Sequence, residues 1–397
     1  MRLLLLSFYF RPDLSAGSFR ASALVDALLA ILPAESSIDV ITTAPNRYST
    51  YAREVASLEI AGPLTIRRIA LPGHRSDLWG QSRAFLHFWR CANRLAANVP
   101  YDIVFATSSR LMTAALGAWI ARRVRARLYL DIRDLFVDTI GDLFPKFAGA
   151  LRPPLSALES WTVHRADRVN LVSRGFEGYF LSRYPDRSYA WFTNGIDEEF
   201  LIEDWSKGTV ADAHQPLLVV YAGNIGEGQG LHAILPQLAL RLGRRVHFRV
   251  IGDGGRRQLL VDLLRQAGAN NVEVLAPMPR VALREAYLAA DILFLHLNAR
   301  AAFEKVLPSK IFEYAATGRP IWAGVAGYAA RFIAAEVSNA AIFAPCDSTD
   351  AIEKLDGLIL PGQPRREFVA RYARRSIASA MAEDILKLAA ANSPWRC

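Results

Sequence analysis

Tyr221-Ala222-Gly223-Asn224-Ile225-Gly226-Glu227-Gly228-Gln229-Gly230 follows an apolar run, Leu217–Ala222, and precedes a segment of helical period, Leu231–Leu242. Apolar run, glycine-rich bend and helix, in that order, open a strand–loop–helix unit of a parallel sheet. Glycine lets the backbone approach a ligand and present its amides, so this loop suits a phosphate. It is not a Walker sequence, because no Gly-Lys-Ser/Thr follows, and Gly226-x-Gly228-x-Gly230 differs from the dinucleotide fingerprint. Ile251-Gly252-Asp253-Gly254-Gly255 forms a similar turn after the next apolar run. Ala276-Pro277-Met278-Pro279 ends a third, where prolines hold main-chain groups extended and able to pair with a base edge; a plain turn explains them equally well.

Further along lies Val306-Leu307-Pro308-Ser309-Lys310-Ile311-Phe312-Glu313-Tyr314-Ala315-Ala316-Thr317-Gly318-Arg319-Pro320. It reads as a short helix, with Ser309 as N-cap, Gly318 as exit and Pro320 as stop. A helix N-terminus carries free amides and the positive dipole end, and Lys310 adds a full charge there. Glu313, one turn in, suits the hydroxyls of a ribose. The same residues also suit an ordinary capped helix with a solvated Lys and Glu.

Outward from these motifs, strands are expected at Leu217–Ala222, His247–Ile251, Val272–Leu275, Ile292–Leu297, Pro320–Ala323 and Ala341–Ala344. Helices near Leu231–Leu242, Arg256–Gly268, Arg280–Ala290, Ser309–Thr317, Tyr328–Glu336 and Thr349–Leu358 separate them. The first half alternates likewise. Its strands are Leu3–Phe8, Ile38–Thr42, Thr65–Ala70, Asp102–Thr107, Arg127–Ile132, Arg168–Val172 and Tyr189–Thr193. Its helices are Gly17–Ile31, Gln81–Ala97, Leu111–Val124, Leu155–Ala166 and Gly175–Arg183. The polar stretch Asp197 to Gln215 marks the junction, and a last helix runs from about Arg365 to Leu388. Two doubly wound parallel sheets follow, with ligands expected at the carboxyl ends of strands. In the first half such ends carry Arg11 through Arg20, where Gly17 permits close approach to a ligand, and Asp131-Ile132-Arg133-Asp134, expected at a rim outside the sheet.

Composition bounds the rest. With 397 residues, two domains are expected, and 52% hydrophobic residues is globular. No apolar run approaches the ~20 residues of a spanning helix. Leu3 to Phe10 reads as a buried strand, not a leader. Three scattered cysteines (Cys91, Cys346, Cys397) and seven dispersed His suggest a reducing compartment and no metal-ligand spacing. Arg67 to Arg127 holds eleven Arg and no Lys against Asp77 and Asp102, which equals the chain's whole net charge of +9. This region should face something anionic, either lipid headgroups, a lipid-linked phosphate or nucleic acid. Within it, Phe85, Phe88 and Trp89 lie on one helical face with Arg83, Arg90 and Arg94 on another, the pattern either of core packing or of a helix resting on a membrane or acceptor.

The motifs Tyr221–Gly226, Ile251–Gly254 and Pro308-Ser309-Lys310-x-x-Glu313-Tyr314-x-Ala316-x-Gly318-x-Pro320 resemble retaining GT-B glycosyltransferases, glycosyltransferase family four. Asn194-Gly195-Ile196-Asp197 resembles the turn these enzymes carry before their second domain. Arg11 through Arg20 and Asp131 through Leu135 resemble the WbuB-like branch acting in O-antigen and capsule assembly. The resemblance implies an α/β GT-B architecture, two Rossmann-like domains facing each other across a cleft: residues 1–205 on the acceptor side, 206–364 holding the nucleotide sugar, and 365–397 crossing back to the first domain. It implies a UDP-sugar donor, with Glu313 on the ribose, Ser309 and Lys310 on the diphosphate, Gly17 approaching it, Met278 backbone at the base, and Gly223, Asn224, Gly226, Gln229 and Gly252 lining the donor. The acceptor would be a polyprenyl-diphosphate-linked glycan at the inner membrane face, the sugar an N-acetylated hexosamine among others, with no cofactor, no obligatory metal and no nucleic acid.

Three departures from that pattern stand out. Asn224 and Gln229 occupy loop positions where many relatives carry Arg and Lys, so the charge on the leaving diphosphate falls to Lys310, with Arg133. Eight positions before Glu313 stands Lys305, where relatives have a second Glu; Glu304 is one removed, and either is a candidate sugar contact. Arg133 and Asp134 stand where a His often ends the strand, so Asp134 is expected to orient the acceptor hydroxyl. The alternatives are a UDP-sugar epimerase of the same fold and a non-enzymatic binder of anionic lipid or nucleic acid.

Overall fold

The computed structural model describes residues 1–13, 15–45, 55–72, 78–108, 111–143, 148–201, 205 and 215–390. Much of the expected junction (202–204 and 206–214) lies outside the described residues, as do Arg75, Asp77 and Arg110 of the basic region and Cys397. The chain divides into two compact units, residues 1–194 with 374–397, and residues 195–373. The boundaries expected from sequence stood at 205/206 and 364/365.

The first unit holds strands β1 (Arg2–Leu6), β2 (Ser37–Thr43), β3 (Leu58–Ala61), β4 (Leu64–Ile69), β5 (Ile103–Ser108), β6 (Arg127–Ile132), β7 (Arg168–Leu171) and β8 (Tyr189–Ala190). They form one sheet in the order β3-β4-β2-β1-β5-β6-β7-β8. All neighbours are parallel except β3, which runs antiparallel to β4. β3 was not foreseen: it is a four-residue edge strand, Leu58-Glu59-Ile60-Ala61, with every residue exposed. Leu3 to Leu6 of β1 are wholly buried, as a strand covered on both faces requires.

The second unit holds β9 (Leu217–Ala222), β10 (Val246–Ile251), β11 (Val272–Leu275), β12 (Ile292–His296), β13 (Ile321–Gly324) and β14 (Ala340–Phe343). Their order is β11-β10-β9-β12-β13-β14, all parallel. The chain leaves β9 for one side of the sheet and returns to its other side at β12. The carboxyl ends of β9 and β12 therefore flank a topological switch point, as those of β1 and β5 do in the first sheet.

Three sequence expectations are corrected. The helix expected from Leu155 begins at Ala148 and takes Pro153 and Pro154 inside it. The last helix is two, Arg366–Tyr372 and Arg374–Ala390. Ala373 between them is extended and bridges to Ile196, whose N–H donates to Tyr372 O at 2.8 Å, and this breaks the helix. Arg374–Ala390 then packs Met381, Ala382 and Ile385 into the first unit's core beside Leu24, Val25 and Leu28. Third, Phe85 and Phe88, candidates in the sequence reading for a membrane or acceptor face, are buried. Both lie against Phe8, with ring centroids 6.2 and 5.3 Å away. The aromatic stripe of helix Leu78–Ala96 is core because it caps the sheet. Trp89 is half-buried beside Phe85, while Arg83, Leu86, Arg90 and Arg94 are exposed.

Replacing Phe88 by Ala should cost the first unit about 3–5 kcal/mol, the price of a filled aromatic site emptied. Urea unfolding measures it, and a loss under 1 kcal/mol would contradict the packing described.

Candidate active site

In the second unit, the loops after β9, β10 and β12 interlock at the switch point. Gly223 N donates to Ile251 O at 2.8 Å, and Ile225 N to Asp253 O at 2.8 Å. Gly252 packs so closely that a Cβ on it would overlap Gly223 O. Asn298, after β12, donates its backbone N–H to Gly228 O and its side-chain amide to Glu227 O, both at 2.9 Å. Loop placement thus follows from continuing the strand ladder past the strand ends.

Lys310 lies directly over this loop. Gly223 has φ +140°, and a Cβ there would overlap the Lys310 ammonium. The ammonium donates to Tyr221 Oη at 3.2 Å and lies 4.6 Å from the Tyr221 ring centroid. Tyr221 in turn donates to Asn224 O at 2.6 Å. The two neutral loop residues bond to each other, Asn224 Nδ2 to Gln229 Oε1 at 2.7 Å. Gly226 sits against both side chains.

The helix carrying Lys310 is Lys310–Ala316. Ser309 has helical backbone angles and makes no side-chain cap, a correction to the expected N-cap. The helix is anchored by burial of Ile311, Phe312 and Tyr314, and Tyr314 Oη accepts from Ala222 N at 2.9 Å. Glu313 receives Arg280 Nη1 at 3.2 Å. Met278 is half-buried and packs on the core containing Ile311 and Phe312. Glu304 is exposed and Lys305 half-buried, both in the short 3-10 turn Ala301–Lys305.

Three features were missed by sequence reading. Arg280 follows the Pro-Met-Pro turn, which was its only signal. Glu227 of the glycine loop pairs with Arg256 at 2.7 Å and with Arg300. His296, inside β12, is buried. Its Nε2 accepts the Cys346 N–H at 3.0 Å, so Nδ1 holds the proton and donates to Gln229 O at 2.7 Å. Burial holds its pKa down to about 4, leaving a neutral ring that ties the glycine loop to the loop after β14.

In the first unit, Gly17 and Arg133 come together. Arg133 Nη1 occupies the space a Gly17 Cβ would take, beside the start of helix Ala16–Ile31. Arg133 Nε is buried with no hydrogen-bond partner among the described residues. Burial pulls the Arg133 guanidinium below its usual range, against the opposing pull of Asp131 and Asp134. Asp134 is exposed. Asp131, expected at a rim, instead lies within β6 and is buried. Arg20 grips it with two bonds of 3.0 and 2.9 Å, and Asn170 donates to it at 2.8 Å. Burial alone would raise the Asp131 pKa, but Arg20 outweighs it and the carboxyl is held below its usual value. Among the described residues, no group of His, Cys, Asp and Glu could hold a metal ion.

The switch point of the second sheet thus brings together the glycine loops after β9 and β10 and Lys310, with Glu313 one turn further along the Lys310 helix. Residues 205–376 match the family Glycosyl transferases group 1, and residues 21–190 match Glycosyl transferase 4-like domain. The chain thus carries a group 1 glycosyl transferase domain preceded by a glycosyl transferase 4-like domain. Over 220 residues it is 26% identical to WcaI of Escherichia coli (strain K12), described as a candidate colanic acid biosynthesis glycosyl transferase. That stretch is 50% of this chain and 51% of WcaI, so the chain spans about half the length of the curated relative it matches.

Among solved structures it is similar to sucrose-phosphate synthase from Thermosynechococcus elongatus (TM-score 0.72, 15% identity, 99% of this chain and 100% of that one). It is also similar to WaaG, a glycosyltransferase involved in lipopolysaccharide biosynthesis (TM-score 0.64, 13% identity, 98% and 96%). A third is Anabaena HepE in complex with UDP-glucose (TM-score 0.61, 15% identity, 98% and 97%). The two Rossmann-like domains are those of the GT-B glycosyltransferase fold.

The folded-state Asp131 pKa lies below its unfolded value, so the Arg20 pair stabilises above the unfolded pKa and that contribution is lost as pH falls through the folded one. Asp131→Asn should destabilise by about 3–5 kcal/mol at neutral pH. The gap from wild type should narrow below about pH 4. Paired unfolding curves at several pH values test this; a constant gap down to strong acid contradicts it.

Proposed function

We propose that the chain is a retaining glycosyltransferase that takes a sugar from a nucleotide sugar, UDP-linked by preference, and passes it to a polyprenyl-diphosphate-linked glycan in bacterial surface polysaccharide synthesis. The observation that carries this is the Lys310 ammonium held over the glycine loop, one turn from Glu313. Donor binding is supported by HepE, whose structures hold UDP and UDP-glucose. A polysaccharide role is supported by the names of WcaI and WaaG.

In this reading Glu313 holds the ribose hydroxyls and Met278 backbone meets the base. Ser309, Gly223, Gly226 and Gly252 line the diphosphate with Asn224 and Gln229. As the bond from the sugar's anomeric carbon to the diphosphate oxygen breaks, negative charge grows on the leaving group. Lys310, fixed by the Tyr221 hydroxyl and ring, meets it without reorganising. From the first unit, Gly17 and Arg133 are assigned to the diphosphate and Asp134 to the acceptor hydroxyl. Glu304 and Lys305 remain the candidate sugar contacts, and no metal is required.

The basic surface is assigned to the inner membrane face, through Arg83, Leu86, Arg90 and Arg94, the exposed side of helix Leu78–Ala96. Trp119, Arg122 and Arg123 extend it on the adjacent helix Leu111–Val124, joined through Arg123 to Asn93 at 3.3 Å. Among the described residues no helix is long and apolar enough to cross a membrane.

Lys310→Ala should lower turnover by about 10²–10³-fold while donor binding persists. Transfer assays, with a thermal-shift panel of UDP-, GDP- and dTDP-sugars and with chelator present, test it; unchanged turnover in the variant rejects the assignment. Arg83→Ser, Arg90→Ser and Arg94→Ser together should weaken binding to phosphatidylserine vesicles by about a hundredfold at low salt, at ~1 kcal/mol per charge. Sedimentation with vesicles reads this, and retention of full binding would move the membrane surface elsewhere.

A further inference from the structure

Three carboxylates converge on one guanidinium in the second unit. Arg280 sends Nη2 to Asp197 at 2.6 Å, Nη1 to Glu313 at 3.2 Å, and Nε to Glu199. The Phe200 ring backs it, 5.0 Å from centroid to guanidinium carbon. Each edge of a planar, rigid fork is therefore used, and a planar fork with three fixed directions transmits angles as well as charge. Lysine, a point charge on a flexible stem, cannot do this.

The far side of the fork is fixed to the body of the unit. Asp197 follows Ile196, which is wholly buried and bonded to Tyr372 O at 2.8 Å. Glu199 lies in the short helix Glu198–Leu201, whose Phe200 is buried in the same core as Ile311 and Phe312. Arg280 itself begins helix Arg280–Ala289 directly after the Pro277-Met278-Pro279 turn. One side chain thus joins the turn leading into the unit, the loop assigned to the base and the carboxylate assigned to the ribose. Burial disfavours its charge, but Glu313, Asp197 and Glu199 together outweigh that and keep it above the usual guanidinium range.

We infer that Arg280 is a positioning residue: by anchoring to Asp197 and Glu199 it orients the Glu313 carboxylate to accept from the hydroxyls of a nucleotide ribose. This rests on the ribose role of Glu313 proposed above. The effect of Arg280 on ribose recognition is exerted through the Glu313 carboxylate that it holds.

The test is calorimetric titration of the full chain with UDP and 2′-deoxy-UDP, and with GDP and 2′-deoxy-GDP alongside. Wild type should prefer the ribonucleotide by about tenfold or more, as a lost hydrogen bond to a charged group demands. Glu313→Gln should abolish that preference. Arg280→Lys should abolish most of it, weakening the ribonucleotide by more than the deoxy form, and the Arg280→Lys/Glu313→Gln double variant should match Glu313→Gln alone. A merely structural role would weaken both nucleotides equally. Full preference in Arg280→Lys, or additive losses in the double variant, overturns the inference. Full preference in Glu313→Gln, or no binding of any nucleotide, overturns the ribose role beneath it. If Arg280→Lys does not fold, as judged by circular dichroism, Asp197→Asn takes its place with the same outcomes.

Discussion

The second unit's site depends on a close approach: the ammonium of Lys310 rests where residue 223 would otherwise carry a side chain. Only glycine holds a backbone with φ of +140° and leaves that space open. Tyr221, at the end of the same strand, supplies hydroxyl and ring to the ammonium. A cation is thus held against the glycine loop by a phenol ring and its hydroxyl.

The first unit uses a comparable device with a different outcome. Gly17 again leaves space that a cation, Arg133, fills at the start of a long helix. Arg133 Nε is buried with no hydrogen-bond partner among the described residues, and Asp131 and Asp134 offset the effect of burial on its charge. Two residues earlier, within β6, Asp131 is held by Arg20 and Asn170. Side chains alternate along a strand, yet Asp131 and Arg133 divide their roles by depth: one is locked in the sheet, the other lies past its end.

Arginine organises charge throughout the chain by serving several acceptors at once. Arg20 joins Asp131 to the carbonyls of Phe192 and Thr193, where the chain leaves the first unit. Arg280 joins three acids at the start of the second. Arg168 holds Asp384 and so fastens the returning helix to the first sheet. The exposed Arg of helix Leu78–Ala96 are a separate population. They face solvent because the aromatic stripe opposite them is needed to cover Phe8, so the helix can present only its basic side.

Sequence alone determined the alternation of strands and helices, the presence of two parallel sheets, and the loops Gly223–Gly230 and Gly252–Gly255 at strand ends. Those features follow from local period and from glycine, which act over a few residues. The edge strand β3 and the break at Ala373 were not legible, since β3 is only four residues long and exists through its pairing with β4, and the break through its pairing with Ile196. Nor were the pairings of Lys310 with Gly223, Arg280 with Asp197, or His296 with Gln229, each joining residues distant along the chain. Whether Phe85 and Phe88 met core or membrane was likewise undecided, because helical period marks an apolar face without naming what covers it. Only the folded sheet, by placing Phe8 beneath that face, supplied the answer.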